Sequence, residues 1–257
     1  MAELTTLRMA RYQLNLIYDG TEFAGFQRQR GRRTVQGVIE DCLRGLGWQG
    51  TAILAAGRTD AGVHATGQVI AFDLEWSHHP DQLQNALNAC LPADVAVSAA
   101  RPVNSVFHPR YAATARCYHY RLYCAAVRDP LQERYAWRVQ PKPDVTLLNA
   151  AAGLLVGRHD FGAFGKAPSP AGHTFRTIFQ AEWKSTGSQI RFEVLGDAFL
   201  YHMVRRLVAV QVQIAQGRLP VEYLVDCLNR QTDPLSIELA PPQGLVLVEV
   251  AYPTSTT

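Results

Sequence analysis

The chain has 257 residues, of which 47% are hydrophobic and 18% charged, a composition typical of a folded protein with one large or two small domains. It has no run of about 18 apolar residues that could cross a membrane, and its first residues lack the basic head and apolar stretch of a secretion signal, so we expect a cytoplasmic protein. Five scattered cysteines without a C-x-x-C pair predict neither a disulfide framework nor a structural metal site.

The first half of the chain reads as alternating strands and helices. RYQLNLIYD alternates apolar and polar residues as a half-buried strand does, and Thr34 and Pro80 suit the starts of two helices. In chain order we predict strand 11–19, a helix after Thr34, strands 51–56 and 68–74, a helix after Pro80, and strand 94–103. This βαββαβ order is the ferredoxin-like order.

The second half repeats this order. In chain order we predict strand 117–125, a helix capped by Asp144, a hairpin around Thr186-Gly187, a helix at about 199–216, a short helix after Pro220, and strand 244–252. The sequence therefore predicts an α/β (α+β) fold of two ferredoxin-like βαββαβ halves, at 9–104 and 105–255. Two such halves can join their antiparallel sheets and leave a central cleft, which we expect to bind the substrate.

The net charge of +3 decides little, but its distribution is informative. QRQRGRR at 27–33 carries Arg28, Arg30, Arg32 and Arg33 with no acidic residue among them. A tract of this kind is typical of phosphate contact and predicts RNA binding. A solvated loop is the alternative interpretation.

A charged segment interrupts two apolar strands at AAGRTDAGVHA, residues 55–65. Asp60 follows Arg58 and lies between Gly57 and Gly62, so it is either a turn residue that bonds the local backbone or a carboxylate held for chemistry. A single carboxylate can act as a nucleophile on a sugar carbon. Glycoside hydrolysis usually needs two carboxylates, and no second acid occurs at a comparable place, so simple hydrolysis is disfavoured.

Two further candidates follow in the second half. Tyr118 in CYHYRLY is either a core aromatic or a platform for a base, and Arg110 adds positive charge just before this strand. FLYHMVRRLVAV places Arg205 and Arg206 in an apolar helix, where an inward arginine needs an acidic partner. We expect Arg205 to pair with Asp60. Two other acids compete for this role, Glu193 and Asp197.

These segments together resemble one family. GRTDAGVHA at 57–65 is similar to the signature loop of the TruA-type tRNA pseudouridine synthases, and this loop is highly specific. The other blocks that follow in family order are YDGTEFAGFQRQ (18–29), FHPRYAATARCYHYRLY (107–123), HDFGAF (159–164), FLYHMVRRLV (199–208) and GLVLVEVAY (244–252). Cys117 and the segment at 165–174 depart from the family pattern.

The resemblance implies a cofactor-free isomerase that converts uridine to pseudouridine on the 3′ side of the anticodon arm of tRNA, and it implies a homodimer without a metal. It matches Asp60 to the catalytic aspartate, Tyr118 to the substrate-contacting tyrosine and Arg205 to the arginine that pairs with the aspartate. It matches Arg58 to the arginine that helps to extrude the target base. Two other functions stay open from the residues alone: a non-catalytic RNA-binding protein of the same fold, and a nucleoside or sugar hydrolase that uses Asp60.

Overall fold

The computed structural model describes residues 9–167, 172–230, 232 and 234–253, and divides the chain into two units. The first unit comprises the chain up to Thr114 and the segment from Leu247 onward, and the second comprises Ala115–Val246. No helix in the described ranges is long and apolar enough to cross a membrane. Part of the segment at 165–174, residues 168–171, lies outside the described residues.

The first unit is a sheet with two helices. Its elements are β1 (Met9–Tyr18), α1 (Val35–Gly45), β2 (Leu54–Ala55), β3 (His64–Glu75), α2 (Pro80–Cys90), β4 (Val95–Val103) and, from Leu247, β10 (Leu245–Ala251). Strand β1 lies between β4 and β3 and is antiparallel to both. Strand β2 pairs with β3, and β10 also lies next to β3. The βαββαβ order predicted for the first half is confirmed.

Alternation on β1 separates the two faces of this sheet. Leu14 and Leu16 are fully buried, as are Ile39 on α1 and Leu87 on α2, and each such side chain contributes about 1.5–3 kcal/mol relative to exposure. The intervening β1 residues are mainly polar, and Arg11 is joined to Asp73 of β3 by two hydrogen bonds of 2.7 and 2.8 Å. The helices therefore cover the apolar face, and a polar face remains on the other side.

The second unit is also mixed α/β. Its elements are β5 (Ala115–Tyr123), α3 (Pro130–Glu133), β6 (Trp137–Arg138), α4 (Val145–Gly153), β7 (Gly157–Asp160), β8 (Phe175–Thr186), β9 (Gln189–Gly196), α5 (Met203–Ala215) and α6 (Glu222–Leu228). Strands β5, β9, β8 and β7 form an antiparallel sheet in that order. Trp183 stacks on Phe192 at 4.8 Å between ring centroids and donates to Gln211 Oε1 at 2.9 Å.

Local signals located most helix starts and the hairpin. Thr34 Oγ1 accepts from Gly37 N at 3.2 Å, and Asp144 Oδ1 accepts from Thr146 N at 2.7 Å, so both are the predicted N-caps. Helix α2 begins at Pro80 as expected. The β8–β9 hairpin turns after Thr186, and Gly187 has a φ of 62°.

Two elements are shorter than predicted. The strand expected at 51–56 reduces to Leu54–Ala55, and Ile53 N donates to the Glu40 side chain at 3.1 Å instead of to a strand. The helix expected from residue 199 begins at Met203, because His202 is left-handed with a φ of 67° and Tyr201 N bonds Lys166 O. Partners that are distant in sequence, one a side chain and one a main-chain oxygen, set both limits, and periodicity does not show them.

The units divide the chain later than the sequence analysis did. We placed the boundary between residues 104 and 105 and gave the last strand to the second half. In the structure Thr114 donates to Ala251 O through its N–H at 2.9 Å, and β10 lies beside β3 of the first unit. The last strand therefore belongs to the first unit from Leu247 onward.

A disulfide joins two helices, contrary to the expectation that the cysteines form none. Cys42 of α1 and Cys90 of α2 are bonded, with their Cα atoms 5.8 Å apart and a separation of 48 positions in sequence. The packing of α1 beside α2 brings them together, and sequence spacing gives no sign of it. Cys117, Cys124 and Cys227 form no disulfide.

We expect reduction to lower the stability of this protein. The bond closes a loop of 48 residues, so its loss should cost about 2–4 kcal/mol of the free energy of unfolding, chiefly by releasing the unfolded chain. Guanidinium unfolding with and without dithiothreitol measures this. Cys42→Ser should abolish the effect of dithiothreitol and Cys117→Ser should preserve it. Labelling of all five cysteines by a thiol reagent in unreduced, denatured protein would contradict the bond.

Candidate active site

The loop that carries Asp60 ends in a tight turn. Val63 N donates to Asp60 O at 3.2 Å, and Gly62 has a φ of 77°, which a residue with a side chain adopts only at a cost. The hydrogen bond that closes this turn is accepted by the main-chain oxygen of Asp60, and the residue is half-buried. Gly57, in contrast, has no neighbour within 4 Å of an added Cβ, and its φ is not positive.

The segment after β1 holds both flanks of Asp60. Phe26 N donates to Thr59 O at 3.0 Å, and Gly62 N donates to Phe23 O at 3.4 Å. Thr59 Oγ1 lies 2.9 Å from Tyr18 Oη, and complete burial raises the pKa of Tyr18 to about 12, so this phenol stays neutral. Thr59 and Gly62, on the two sides of Asp60, are thus fixed by main-chain or buried polar contacts, which limits the positions that its carboxylate can take.

A buried histidine supports the same region and was missed by the sequence analysis. His64 is 4% exposed, and its Nδ1 accepts from Gly20 N at 2.9 Å. Asp19 Oδ1, which lies 3.1 Å from the same nitrogen, also accepts from Thr21 N at 3.0 Å. His64 therefore ties the end of β1 to the start of β3. The available signal was a polar residue at the buried end of a strand, four positions after Asp60.

Arg28 of the basic tract is bound to a buried carboxylate. Its Nη2 lies 2.7 Å from Oε2 of Glu40, whose side chain has no exposed surface, and 3.4 Å from Oδ1 of Asp41. Glu40 Oε1 accepts from Gln36 Nε2 at 2.7 Å and from Ile53 N at 3.1 Å. A buried carboxylate is costly without a countercharge, and Arg28 supplies it. Arg28 is therefore an anchor of its loop.

Arg33 is a second anchor. Its guanidinium forms a two-pronged pair with Asp94, at 2.7 and 2.8 Å, and lies 4.0 Å from the centre of the Phe23 ring. The hydrogen bond with Asp94 raises the pKa of Arg33 above its ordinary value. The prediction treated the four arginines of the tract alike, but two of them have intramolecular partners that lie far away in sequence.

Arg30 and Arg32 lie at the tip of the same loop. Arg32 N donates to Gln29 O at 3.3 Å, which closes a turn in which Gly31 has a φ of 70°. Both arginines are exposed, and neither side chain has an ion-pair partner in the part of the chain that the structure describes. The loop therefore presents two guanidinium groups to solvent from a backbone that Arg28 and Arg33 hold.

The second unit contains the other predicted site residues. Tyr118 on β5 is half-buried, and its ring meets Phe199 edge-on at 5.1 Å, so it is not a fully packed core residue. Arg205 Nε donates to Ala240 O at 2.7 Å. Arg205 also lies near Tyr120, whose pKa is raised by burial and pulled in the opposite direction by this arginine. Asp60 belongs to the first unit, and its pairing with Arg205 stays a prediction.

The inward arginine of α5 is Arg206. It is 8% exposed and donates to Pro234 O at 3.2 Å. The two other acids considered for Arg205 have different partners: Glu193 pairs with Lys184 at 2.6 Å, and Asp197 accepts from Thr177 N at 3.0 Å. Within the described residues no group of three histidine, cysteine or acidic side chains could hold a metal ion.

Comparisons with known proteins agree with the residues of both units. A family model described as "tRNA pseudouridine synthase" matches residues 16–112 and 151–253. The tRNA pseudouridine synthase A of Geobacillus kaustophilus (strain HTA426) is 40% identical over 245 residues, which cover 94% of each chain. That of Myxococcus xanthus is 40% identical over 245 residues, covering 95% of this chain and 92% of its own.

A further relative and one solved structure complete the comparison. The tRNA pseudouridine synthase A of Paraburkholderia phytofirmans is 37% identical and covers 95% of this chain and 91% of its own. A chain of the "Crystal Structure of a Cbf5-Nop10-Gar1 Complex" aligns with 78% of this chain and 44% of its own, at a TM-score of 0.35 and 12% identity, and supports no argument. On the family model and these full-length relatives, the chain belongs to the tRNA pseudouridine synthase family.

Proposed function

We propose that this chain is an isomerase that converts uridine to pseudouridine in the anticodon stem-loop of tRNA, with Asp60 as its catalytic residue. Family membership supports the reaction and the tRNA substrate. The observation that carries the assignment of Asp60 is its held loop, in which Thr59 and Gly62 bond the segment after β1 and the main-chain oxygen of Asp60 closes the turn.

The reaction explains why a single carboxylate is sufficient. The C1′–N1 bond breaks, the uracil rotates, a C1′–C5 bond forms, and the C5 proton is lost while N1 gains one. No atom is added overall and no electron is transferred to another molecule. Asp60 acts in its ionised form, either by attack on C1′ or by removal of a sugar proton as the base leaves.

Three other residues complete the proposed site. Arg205 pairs with Asp60 and keeps it ionised, because a nearby cation favours the charged form of a carboxylate. Tyr118, whose ring is only half-buried, contacts the extruded uracil. Arg58, which is exposed and lies two residues before the aspartate, helps to extrude the target base.

The RNA is held by exposed arginines. Arg30 and Arg32 at the loop tip, together with Arg110, contact phosphates, whereas Arg28 and Arg33 position the loop. We further propose a homodimer acting in the cytoplasm on tRNA, as the resemblance implies. A non-catalytic RNA-binding protein would bind tRNA without changing it, and a hydrolase would release free uracil, so pseudouridine mapping with base analysis separates the three functions.

Asp60→Asn should fold, bind tRNA and form no pseudouridine. The amide keeps the size of the side chain, so the loss of stability should be about 1 kcal/mol, but it can neither attack carbon nor accept a proton. Thermal melting, filter binding and pseudouridine mapping test this. Asp81→Asn, at an exposed aspartate of α2, is the control and should stay active. Wild-type conversion by Asp60→Asn would refute the catalytic assignment.

Arg205→Leu and Arg206→Leu should fail in different ways. Loss of Arg205 leaves Asp60 without its proposed partner, so the single-turnover rate should fall about 100-fold with the fold retained. Loss of Arg206 removes a buried donor from Pro234 O, so its main effect should be a lower melting temperature. Rates normalised to folded protein separate the effects, and equal rates in the two variants would mean that Arg205 has no special role.

The arginines of the basic tract should also separate by experiment. Arg30→Gln should leave stability unchanged and reduce the salt dependence of tRNA binding by about one counterion. Arg28→Gln removes the nearer countercharge of buried Glu40, leaving only Arg44 Nη2 at 3.8 Å from Oε2, and should cost about 2 kcal/mol of stability. Adding Glu40→Gln to Arg28→Gln should recover part of that loss. An unchanged salt slope for Arg30→Gln and Arg32→Gln together would rule out phosphate contact at the tip.

A further inference from the structure

An exposed aromatic ring stands on the segment Phe107–Tyr111 of the first unit. Tyr111 is 78% exposed, and the centre of its ring lies 4.3 Å from that of His108 at an angle of 38°. The guanidinium of Arg110 lies 5.9 Å from the centre of the same ring. One face of the tyrosine is therefore supported by an imidazole, and a cation stands beside it.

The backbone beneath this ring is fixed at several points. Arg11, held by Asp73, donates to Phe107 O at 3.0 Å, and Tyr252 Oη donates to Pro109 O at 2.8 Å. Ala112 N donates to His108 O at 3.0 Å. A ring on such a backbone can receive a flat ligand without first ordering the segment, which lowers the entropic cost of binding.

The side chains around the ring favour a ligand that combines a flat aromatic group with a negative charge. Residues 95–114 carry Arg101 and Arg110 and no acidic residue, and Asp73 is engaged by Arg11. Burial, with Arg11 and Arg110 nearby, lowers the pKa of His108, so its imidazole is neutral at pH 7 and supports Tyr111 as an uncharged ring. A nucleotide supplies the flat base and the phosphate that such a surface can bind.

A half-open cavity of mixed character lies next to the base of this segment. It has a volume of about 280 Å³ on the sheet face away from α1 and α2. Its polar lining residues are Gln13, Asn15, Arg101 and Tyr252, and its apolar ones are Val69, Ala99 and Val250. Arg101 Nη2 donates to Gln13 Oε1 at 3.0 Å. Since Tyr252 both lines this cavity and bonds Pro109, the two features adjoin, and the amides and guanidinium of the cavity offer hydrogen bonds to a nucleotide beside the ring.

We propose that Tyr111 is a stacking platform for an unpaired nucleobase of the substrate RNA, with Arg110 on the neighbouring phosphate. This rests on the proposed function only in taking RNA as the ligand. The platform is a binding site separate from the uracil that reacts at Asp60. It discriminates by structure rather than by sequence, because every base has a face that stacks, but a base inside a continuous duplex is not available.

The test compares Tyr111→Ala with Tyr111→Phe, which keeps the ring. Binding of a tRNA transcript should weaken about tenfold in Tyr111→Ala and stay within about twofold of wild type in Tyr111→Phe. Binding of a fully paired RNA duplex should not change in either variant. The salt dependence should be unaltered in Tyr111→Ala and reduced in Arg110→Gln. Val106→Ala, at a residue 82% exposed in the same loop, is the matched control and should bind normally.

Two results would overturn the proposal. Unchanged tRNA affinity in Tyr111→Ala would show that the ring does not stack a base. A change in the sedimentation of the free protein, with equal losses for tRNA and duplex, would show that the ring contacts a second protein chain. Pseudouridine formation by the wild type is measured in parallel. Its absence would refute the proposed function while leaving the binding comparison intact, and normal conversion with normal binding in Tyr111→Ala would refute the platform alone.

Discussion

The hydrogen bond from Phe26 N to Thr59 O is the contact on which the candidate site depends. It joins the segment after β1, which continues into the arginine-bearing loop, to the loop that carries Asp60. The buried contact between Tyr18, at the end of β1, and Thr59 reinforces the same junction. Because these groups are buried, their loss would leave unpaired donors and acceptors, so the junction is costly to open. The proposed RNA-contacting arginines and the proposed catalytic Asp60 are thereby placed on adjacent parts of one fixed structure.

Local patterns in the sequence were sufficient for most of the fold. A two-residue period and an N-cap depend on neighbouring residues, so β1, α1 and α4 could be located without the structure. The shortened β2 and the late start of α5 could not, because a glutamate on α1 and a lysine carbonyl in another loop compete for the backbone groups concerned. The bond between Cys42 and Cys90 was not predicted either, because it also depends on a contact between residues distant in sequence, the packing of α1 beside α2.

The basic tract shows the corresponding limit for function. From the sequence alone, the four arginines within six residues all receive the same prediction, which is contact with phosphate. Their partners, Glu40 and Asp94, lie 12 and 61 residues away from Arg28 and Arg33, and only the fold brings them together. Glu40 even occurs on the apolar side of a helix, where a charged residue is a signal that a partner exists. That signal identifies a buried acid but not which arginine it binds.

The two exposed binding features share one physical design. Arg30 and Arg32 extend from a turn held by paired arginines, and Tyr111 extends from a segment held by Arg11 and Tyr252. In each case buried or paired groups fix the backbone, and the exposed side chain is not one of the groups that fix it. Fixing the backbone during folding removes its ordering cost from the binding step. If the proposed roles hold, substitution of an anchoring residue lowers the free energy of unfolding, whereas substitution of an exposed residue weakens RNA binding and leaves stability unchanged.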